Sequence, residues 1–208
     1  MNASELRVGD LLMKLRYGGV VHALISWGQR LHRAGNATDD YVHAAIYLGN
    51  GTIAESIGGG ITVTQLMAQG HPYVYNVYRY DDRDIAGIAA AVAEGWITMR
   101  RGQHPGFTPR GSYGEYALRG AVVAAAQNIG SQPAYEPAGD LWGSDGRPGI
   151  SSTYCSQFVV AAYHAAGATA QPAQVPIRIA QARATPKMLH DVLLSEPRWD
   201  MPGQITVR

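Results

Sequence analysis

The feature that most constrains this chain is a β-hairpin pattern in residues 41–56. Residues 41–48 (YVHAAIYL) are rich in the β-branched and aromatic residues that are typical of buried strands. Gly49-Asn50-Gly51 follows, and these residues tolerate the positive φ angles that tight hairpin turns require. Residues 52–56 (TIAES) then form the returning strand. The segment therefore predicts a pair of antiparallel strands.

The rest of the chain adds further strands and several helices. Apolar spacing, turn residues and helix-end signals predict strands at Leu11–Met13, Ile61–Thr64 and 73–80, and helices at 19–33, 65–68, 82–99, 114–128, 154–166 and 186–194. Gly167 is expected to end the helix at 154–166, and the last residues are left as a strand or a tail. This order predicts an α+β fold with an antiparallel sheet of about five strands, against which the 154–166 helix packs.

A length of 208 residues is enough for one domain with a full hydrophobic core. We predict a single domain over residues 1–208, with an insertion of helices and loops at about 82–150. The loops at 102–113 and 131–151 are rich in glycine and proline. Because long loops are often functional, we expect them to lie around a binding cleft.

Composition excludes several classes of function. The formal net charge is +1 and the basic residues are scattered, so no nucleic-acid partner is expected. One cysteine excludes an intrachain disulfide and a multi-cysteine zinc site. No apolar run approaches the ~18 residues that span a bilayer. The N-terminus (MNASELRVGDLL) lacks a signal-peptide pattern, so we expect synthesis in the cytoplasm and any export by a route that reads no such signal.

The single cysteine, Cys155, is a candidate nucleophile. It follows a loop of glycine and proline and begins an apolar helix, where the helix macrodipole favours the thiolate. A backbone N–H in the first turn has no carbonyl partner within its own helix, so that of Cys155 can serve as one oxyanion donor. The alternative is a small buried hydrophobic residue, which most free cysteines are.

A nucleophilic thiol needs a base, and His43 is the best candidate. It occurs in the middle of an apolar strand, where a polar side chain is unfavourable unless it has a partner or a function. Glu55 follows the hairpin turn and can lie on the same face as His43, where a carboxylate would fix the imidazole tautomer. A solvent-facing Glu55 remains the alternative. The other histidines are expected on the surface or hydrogen-bonded in the core: His22, His32, His71, His104, His164 and His190.

The stretch HAAIYLGNGTIAES resembles the histidine hairpin of the NlpC/P60 family, the papain-like peptidases of bacterial cell walls. In most of that family the cysteine precedes the histidine, whereas here His43 precedes Cys155. This order is similar to the circularly permuted branch, which includes lecithin–retinol-acyltransferase-like proteins and a bacterial group. That group's motifs are similar to VGDLL at Val8–Leu12, YCSQFVVAAY at Tyr154–Tyr163 and TPKMLH at Thr185–His190. The resemblance implies a papain-like fold in permuted order.

The resemblance also implies roles for individual residues. Cys155 matches the nucleophile, His43 the general base and Glu55 the third, orienting residue. Tyr154 replaces the Asp that commonly precedes the nucleophile, and it is expected to line the substrate site. The implied reaction is attack by the Cys155 thiolate on a carbonyl, with His43 passing a proton to the leaving group and then activating water. No metal or other cofactor is implied.

Three functions stay open at this point. The first is hydrolysis of an amide bond in peptidoglycan stem peptides, by an antibacterial effector that would have a secretion machine and an immunity protein as partners. The second is an acyl hydrolase or acyltransferase that acts on lipid amides or esters, as in the permuted relatives. The third is a non-catalytic binding module, which predicts an unreactive Cys155.

Overall fold

A computed structural model describes residues 1–15, 41–57, 60–69, 72–103, 115–116, 152–181 and 184–207. These residues form an α+β arrangement with a six-stranded antiparallel sheet, a two-stranded parallel pair and three α-helices. The main sheet contains β1 (Leu11–Leu15), β2 (Tyr41–Gly49), β3 (Thr52–Ile57), β4 (Gly60–Gln65), β5 (Tyr73–Tyr80) and β8 (Trp199–Val207). The small pair is β6 (Glu115–Tyr116) with β7 (Ser152–Thr153), and the helices are α1 (Arg83–Gln103), α2 (Cys155–Thr169) and α3 (Pro186–Ser195).

The predicted hairpin is confirmed as the β2–β3 pair. Gly49, Asn50 and Gly51 all have positive φ, at 98°, 52° and 75°. The Thr52 hydroxyl donates to the Gly49 carbonyl at 2.7 Å and closes the turn. The register then places Ala45 opposite Glu55, so His43 and Glu55 are diagonal neighbours on the two strands.

The main sheet has one more strand than the five that the sequence predicts. Its order is β4-β3-β2-β1-β5-β8, so β8 is an edge strand that pairs with β5. Residues 199–207 contain Pro202 and Gly203, which weaken a strand prediction. An edge strand tolerates proline, because one side of its backbone needs no sheet partner.

Two of the helix predictions need correction. Glu115 and Tyr116 pair as a strand with Ser152 and Thr153, so the helix predicted at 114–128 is wrong at its start. The remainder of that helix lies outside the described residues, as does the helix predicted at 19–33. Gly167 does not end α2, which continues to Thr169. Among the described residues, no helix is both long enough and apolar enough to cross a membrane.

The helices pack on the sheet and fix the position where α2 begins. α2 packs against α1 and against strands β2 and β3. The Trp96 and Phe158 rings, whose centroids are 5.9 Å apart, join the two helices. Ser156, in the first turn of α2, donates from its hydroxyl to the Ala184 carbonyl, and Thr185 caps the start of α3 by accepting from the Met188 N–H at 3.2 Å. The Ser156 bond ties the N-terminus of α2 to the segment that leads into α3.

Gly167 allows the chain after α2 to return close to the helix. A Cβ built on Gly167 would lie 2.4 Å from the Gln174 carbonyl oxygen and 2.6 Å from Pro176 Cδ. We therefore expect Gly167→Ala to lower the free energy of unfolding by about 1–3 kcal/mol, as overpacking does. Gly87→Ala on α1 is the control, because its Cβ would meet nothing within 4 Å. The control should raise stability by up to about 1 kcal/mol. Equal urea midpoints for the two variants would contradict this account.

Candidate active site

The site is built on a buried hydrogen bond between His43 and Glu55. His43 is the third residue of β2, and Glu55 lies diagonally across from it on β3, since its direct partner is Ala45. Side chains two residues apart along a strand share a face. His43 Nε2 donates to Glu55 Oε2 at 2.7 Å, and the two residues are only 9% and 6% exposed.

Glu55 is held as a carboxylate by contacts on both of its oxygens. Its second oxygen accepts a hydrogen bond from the Thr64 hydroxyl on the neighbouring strand β4. Burial alone would raise the pKa of Glu55. The hydrogen bonds from His43 and Thr64, together with the charges of His43 and Lys14, outweigh burial and hold this pKa below its usual value. An ionised Glu55 can therefore fix the orientation of the imidazole.

Cys155 is the first residue of α2, and the residue is 1% exposed. Tyr154 precedes it in extended backbone conformation, and the Tyr154 carbonyl accepts the first helical hydrogen bond, from Phe158 N–H at 3.0 Å. The thiol is thus at the positive end of the helix dipole, as the sequence predicts. That position stabilises a thiolate and places the first backbone N–H groups of the helix close to the sulfur.

The charge state of His43 links it to Cys155. Burial would lower the pKa of His43, but the negative charge of Cys155, a side-chain hydrogen bond to Cys155, and the bond and charge of Glu55 together raise it to about 9. Since Nε2 is bonded to Glu55, Nδ1 is the ring nitrogen that remains for the thiol. The arrangement thus favours an imidazolium between a thiolate and a carboxylate.

Tyr154 is largely buried beside the nucleophile. It is 3% exposed, and its hydroxyl donates to the Gln181 carbonyl at 3.2 Å. Burial raises the pKa of Tyr154, and the charge of Cys155 raises it further. Because its hydroxyl is bonded to the backbone, Tyr154 also braces the chain that follows α2. Its role in substrate binding stays a prediction.

Lys14 is a neighbour of the site that the sequence reasoning missed. It lies on β1 directly opposite His43, so the two side chains share a face of the sheet. Lys14 is 8% exposed, and its Nζ lies 3.0 Å from the ring centroid of Tyr73. The signal was present in the sequence, because Lys14 interrupts the apolar strand LLMKL in the way that His43 interrupts β2.

We expect Lys14 to titrate far below an ordinary lysine. Burial lowers its pKa from 10.5 to about 8, and the charge of Glu55 opposes that shift only in part. The chain has two lysines, Lys14 and Lys187, so Lys187→Met leaves a single side-chain amine. NMR of this variant after reductive ¹³C-methylation should show a Lys14 midpoint near pH 8, whereas a midpoint near 10.5 would contradict the burial described here.

Two other histidines lie within the described residues. Each is hydrogen-bonded, as the sequence predicts for the histidines other than His43. His164 on α2 donates from Nε2 to the Ile177 carbonyl at 2.7 Å, and burial lowers its pKa. His190 on α3 shares a hydrogen bond with the Tyr78 hydroxyl through Nδ1. Neither of these two bonds involves Cys155, whereas His43 is hydrogen-bonded to it. His22, His32, His71 and His104 lie outside the described residues.

Comparison with known proteins assigns no family to this chain. No protein-family model matches the sequence, and no curated protein matches it either. What the site can do chemically therefore follows from its own side chains. A thiol, an imidazole and a carboxylate in this arrangement are the groups that acyl transfer through a covalent intermediate requires.

Proposed function

We propose that this chain is a cysteine hydrolase that cleaves an amide bond through an acyl-enzyme on Cys155. The observation that carries the proposal is the buried 2.7 Å bond between His43 Nε2 and Glu55 Oε2 beside the chain's single cysteine. A buried histidine with a raised pKa next to a helix-terminal thiol is a pattern found at functional sites. His164 also has two hydrogen-bond partners, so what distinguishes His43 is that one of its partners is the Cys155 thiol.

The proposed reaction has two steps. The Cys155 sulfur attacks the substrate carbonyl, and its negative charge passes to the carbonyl oxygen. The first N–H groups of α2 stabilise this oxyanion. The His43 imidazolium then gives its proton to the departing amine, and the C–N bond breaks. Neutral His43 next takes a proton from water, whose oxygen attacks the thioester and releases the acid. Glu55 stabilises the imidazolium in both steps.

For the substrate we propose an amide bond in the stem peptides of peptidoglycan. The support for this substrate is the resemblance of the segment 43–56 to the histidine hairpin of NlpC/P60 enzymes. The antiparallel sheet with α2 packed against β2 and β3 is compatible with a papain-like fold in permuted order, which belongs to the same proposal. An antibacterial effector is the setting that this substrate suggests.

Digestion of purified peptidoglycan tests the proposed function. Wild-type protein and Cys155→Ala are incubated with the polymer, and soluble products are identified by mass spectrometry. We expect new fragments from the wild type alone, and their masses would name the cleaved bond. No fragments from either protein would contradict peptidoglycan as the substrate. Short acyl thioesters and lipid amides would then be the next substrates to test.

The delivery hypothesis has a separate test in cells. An enzyme that cleaves peptidoglycan should harm a bacterium only when it reaches the periplasm. We therefore expect growth arrest when the chain is fused to a periplasmic leader, and normal growth when it stays in the cytoplasm. The Cys155→Ala version of the leader fusion is the control. Normal growth with both fusions would count against an antibacterial role.

A further inference from the structure

A row of polar side chains crosses four strands of the sheet at the candidate site. It runs from Thr64 on β4 through Glu55 on β3 and His43 on β2 to Lys14 on β1. Tyr75 on β5 lies directly opposite Lys14 on its other side. The reaction proposed above uses Glu55 and His43 and gives Lys14 no part.

Lys14 has an unusual environment for a lysine. None of the hydrogen bonds or ion pairs between described residues uses its ammonium, and its close contact there is the Tyr73 ring at 3.0 Å. Both oxygens of Glu55, the nearest carboxylate in the row, are already bonded to His43 and Thr64. A lysine that is 8% exposed, with no bonded anion among the described residues, is in an unfavourable environment, and such groups concentrate at functional sites.

We propose that Lys14 is an anion subsite beside the Cys155–His43 pair, and that the substrate carries a carboxylate or another anionic group near its scissile bond. The proposal rests on the proposed function, because it needs Cys155 to be reachable by a substrate. An anion is the chemistry that fits, since an ammonium offers three donors and one positive charge. The Tyr73 ring adds a cation–π contact that holds the ammonium in place. The lowered pKa of Lys14 agrees with a buried lysine whose ammonium has no bonded anion in the described part of the chain.

The test compares two small reagents of different charge at the single cysteine. Iodoacetate is an anion and iodoacetamide is its neutral analogue, and both alkylate the same thiolate. Because the chain has one cysteine, intact-mass measurement gives both rates without ambiguity. His43 and the helix terminus attract iodoacetate in every variant, so the change in the ratio of the two rates isolates Lys14.

We expect Lys14→Met to lower the iodoacetate-to-iodoacetamide rate ratio by about tenfold at low salt, the order expected for loss of one nearby unit charge. Lys14→Arg should keep most of the wild-type ratio. Lys187→Met is the matched control, since it removes the same charge from α3, where Lys187 pairs with Asp191. This control should leave the ratio unchanged.

The possible results separate the two proposals. An unchanged ratio in a Lys14→Met protein that still reacts with iodoacetamide would overturn the anion subsite and leave the hydrolase intact. Failure of both reagents to label folded wild-type protein would overturn the hydrolase and the subsite together. Circular dichroism establishes folding, and Lys14→Gln takes the place of the Met variant if that variant does not fold.

Discussion

Replacing His43 by glutamine is expected to lower the hydrolytic rate by about 10³-fold, within the range that general acid–base catalysis contributes. Glutamine can still donate a hydrogen bond to Glu55, so the carboxylate keeps its partner. It cannot hold a proton for the leaving group, and it cannot balance the charge of a Cys155 thiolate. The variant therefore removes the chemistry of His43 and preserves much of its packing. The rate is measured on the peptidoglycan bond that the digestion identifies.

His164→Gln is the matched control for this variant. It makes the same substitution at another buried histidine, whose ring donates to the Ile177 carbonyl and accepts from Gln181 Nε2 at 3.3 Å. We expect the control to lower the melting temperature and to leave the rate per folded molecule unchanged. Equal rate losses in the two variants would mean that His43 acts through the stability of the fold.

Replacing Glu55 by glutamine should produce a smaller loss of rate than His43→Gln, on the order of 10²-fold, because the imidazole loses its orienting charge. The pH profile should move as well. The hydrogen bond and charge of Glu55 are among the causes that raise the pKa of His43 to about 9, so their removal lowers that pKa. The alkaline limb of the rate profile, where the imidazolium is lost, should shift to lower pH. An unchanged alkaline limb would contradict the role of Glu55.

The contacts of His43 and Glu55 also predict how the free energy of unfolding changes with pH. The folded-state pKa of His43, about 9, is above its ordinary 6.5. The stabilisation from the imidazolium is therefore fully present below about pH 6.5 and is lost as pH rises through about 9. In Glu55→Gln the decrease in stability at high pH should be smaller. Urea unfolding at several pH values measures this decrease in both proteins. The contribution of Glu55 to stability depends on pH in the opposite direction. Because its pKa is lowered in the folded protein, that contribution is lost as pH falls into the acid range.

The local part of the fold and site could be predicted from the sequence. The β2–β3 hairpin follows from Gly49-Asn50-Gly51, because few residues other than Gly and Asn adopt positive φ readily. The same hairpin brings Glu55 to His43, since the side chains of paired strands alternate with a fixed period. Cys155 is predicted at a helix start because a loop of glycine and proline precedes it and an apolar run follows it.

Features that depend on distant parts of the chain were beyond sequence reasoning. Strand β8 pairs with β5, which is more than 100 residues earlier, and Pro202 and Gly203 obscure its local pattern. Glu115 and Tyr116 form a strand only because Ser152 and Thr153 lie beside them. Gly167 looks like a helix end, yet its lack of a Cβ serves the close approach of Gln174. Each case is a tertiary contact that overrides a local preference.

The pH dependence of Cys155 alkylation by iodoacetamide tests the central claim, that Cys155 and His43 form a thiolate–imidazolium pair. An ordinary thiol, with a pKa of about 8.5, reacts very slowly below about pH 6 because almost no thiolate is present. We expect wild-type Cys155 to react readily there, and His43→Gln to lose this reactivity at low pH. If wild type and His43→Gln both follow the profile of an ordinary thiol, then Cys155 is not activated by His43 and the proposed hydrolase is wrong.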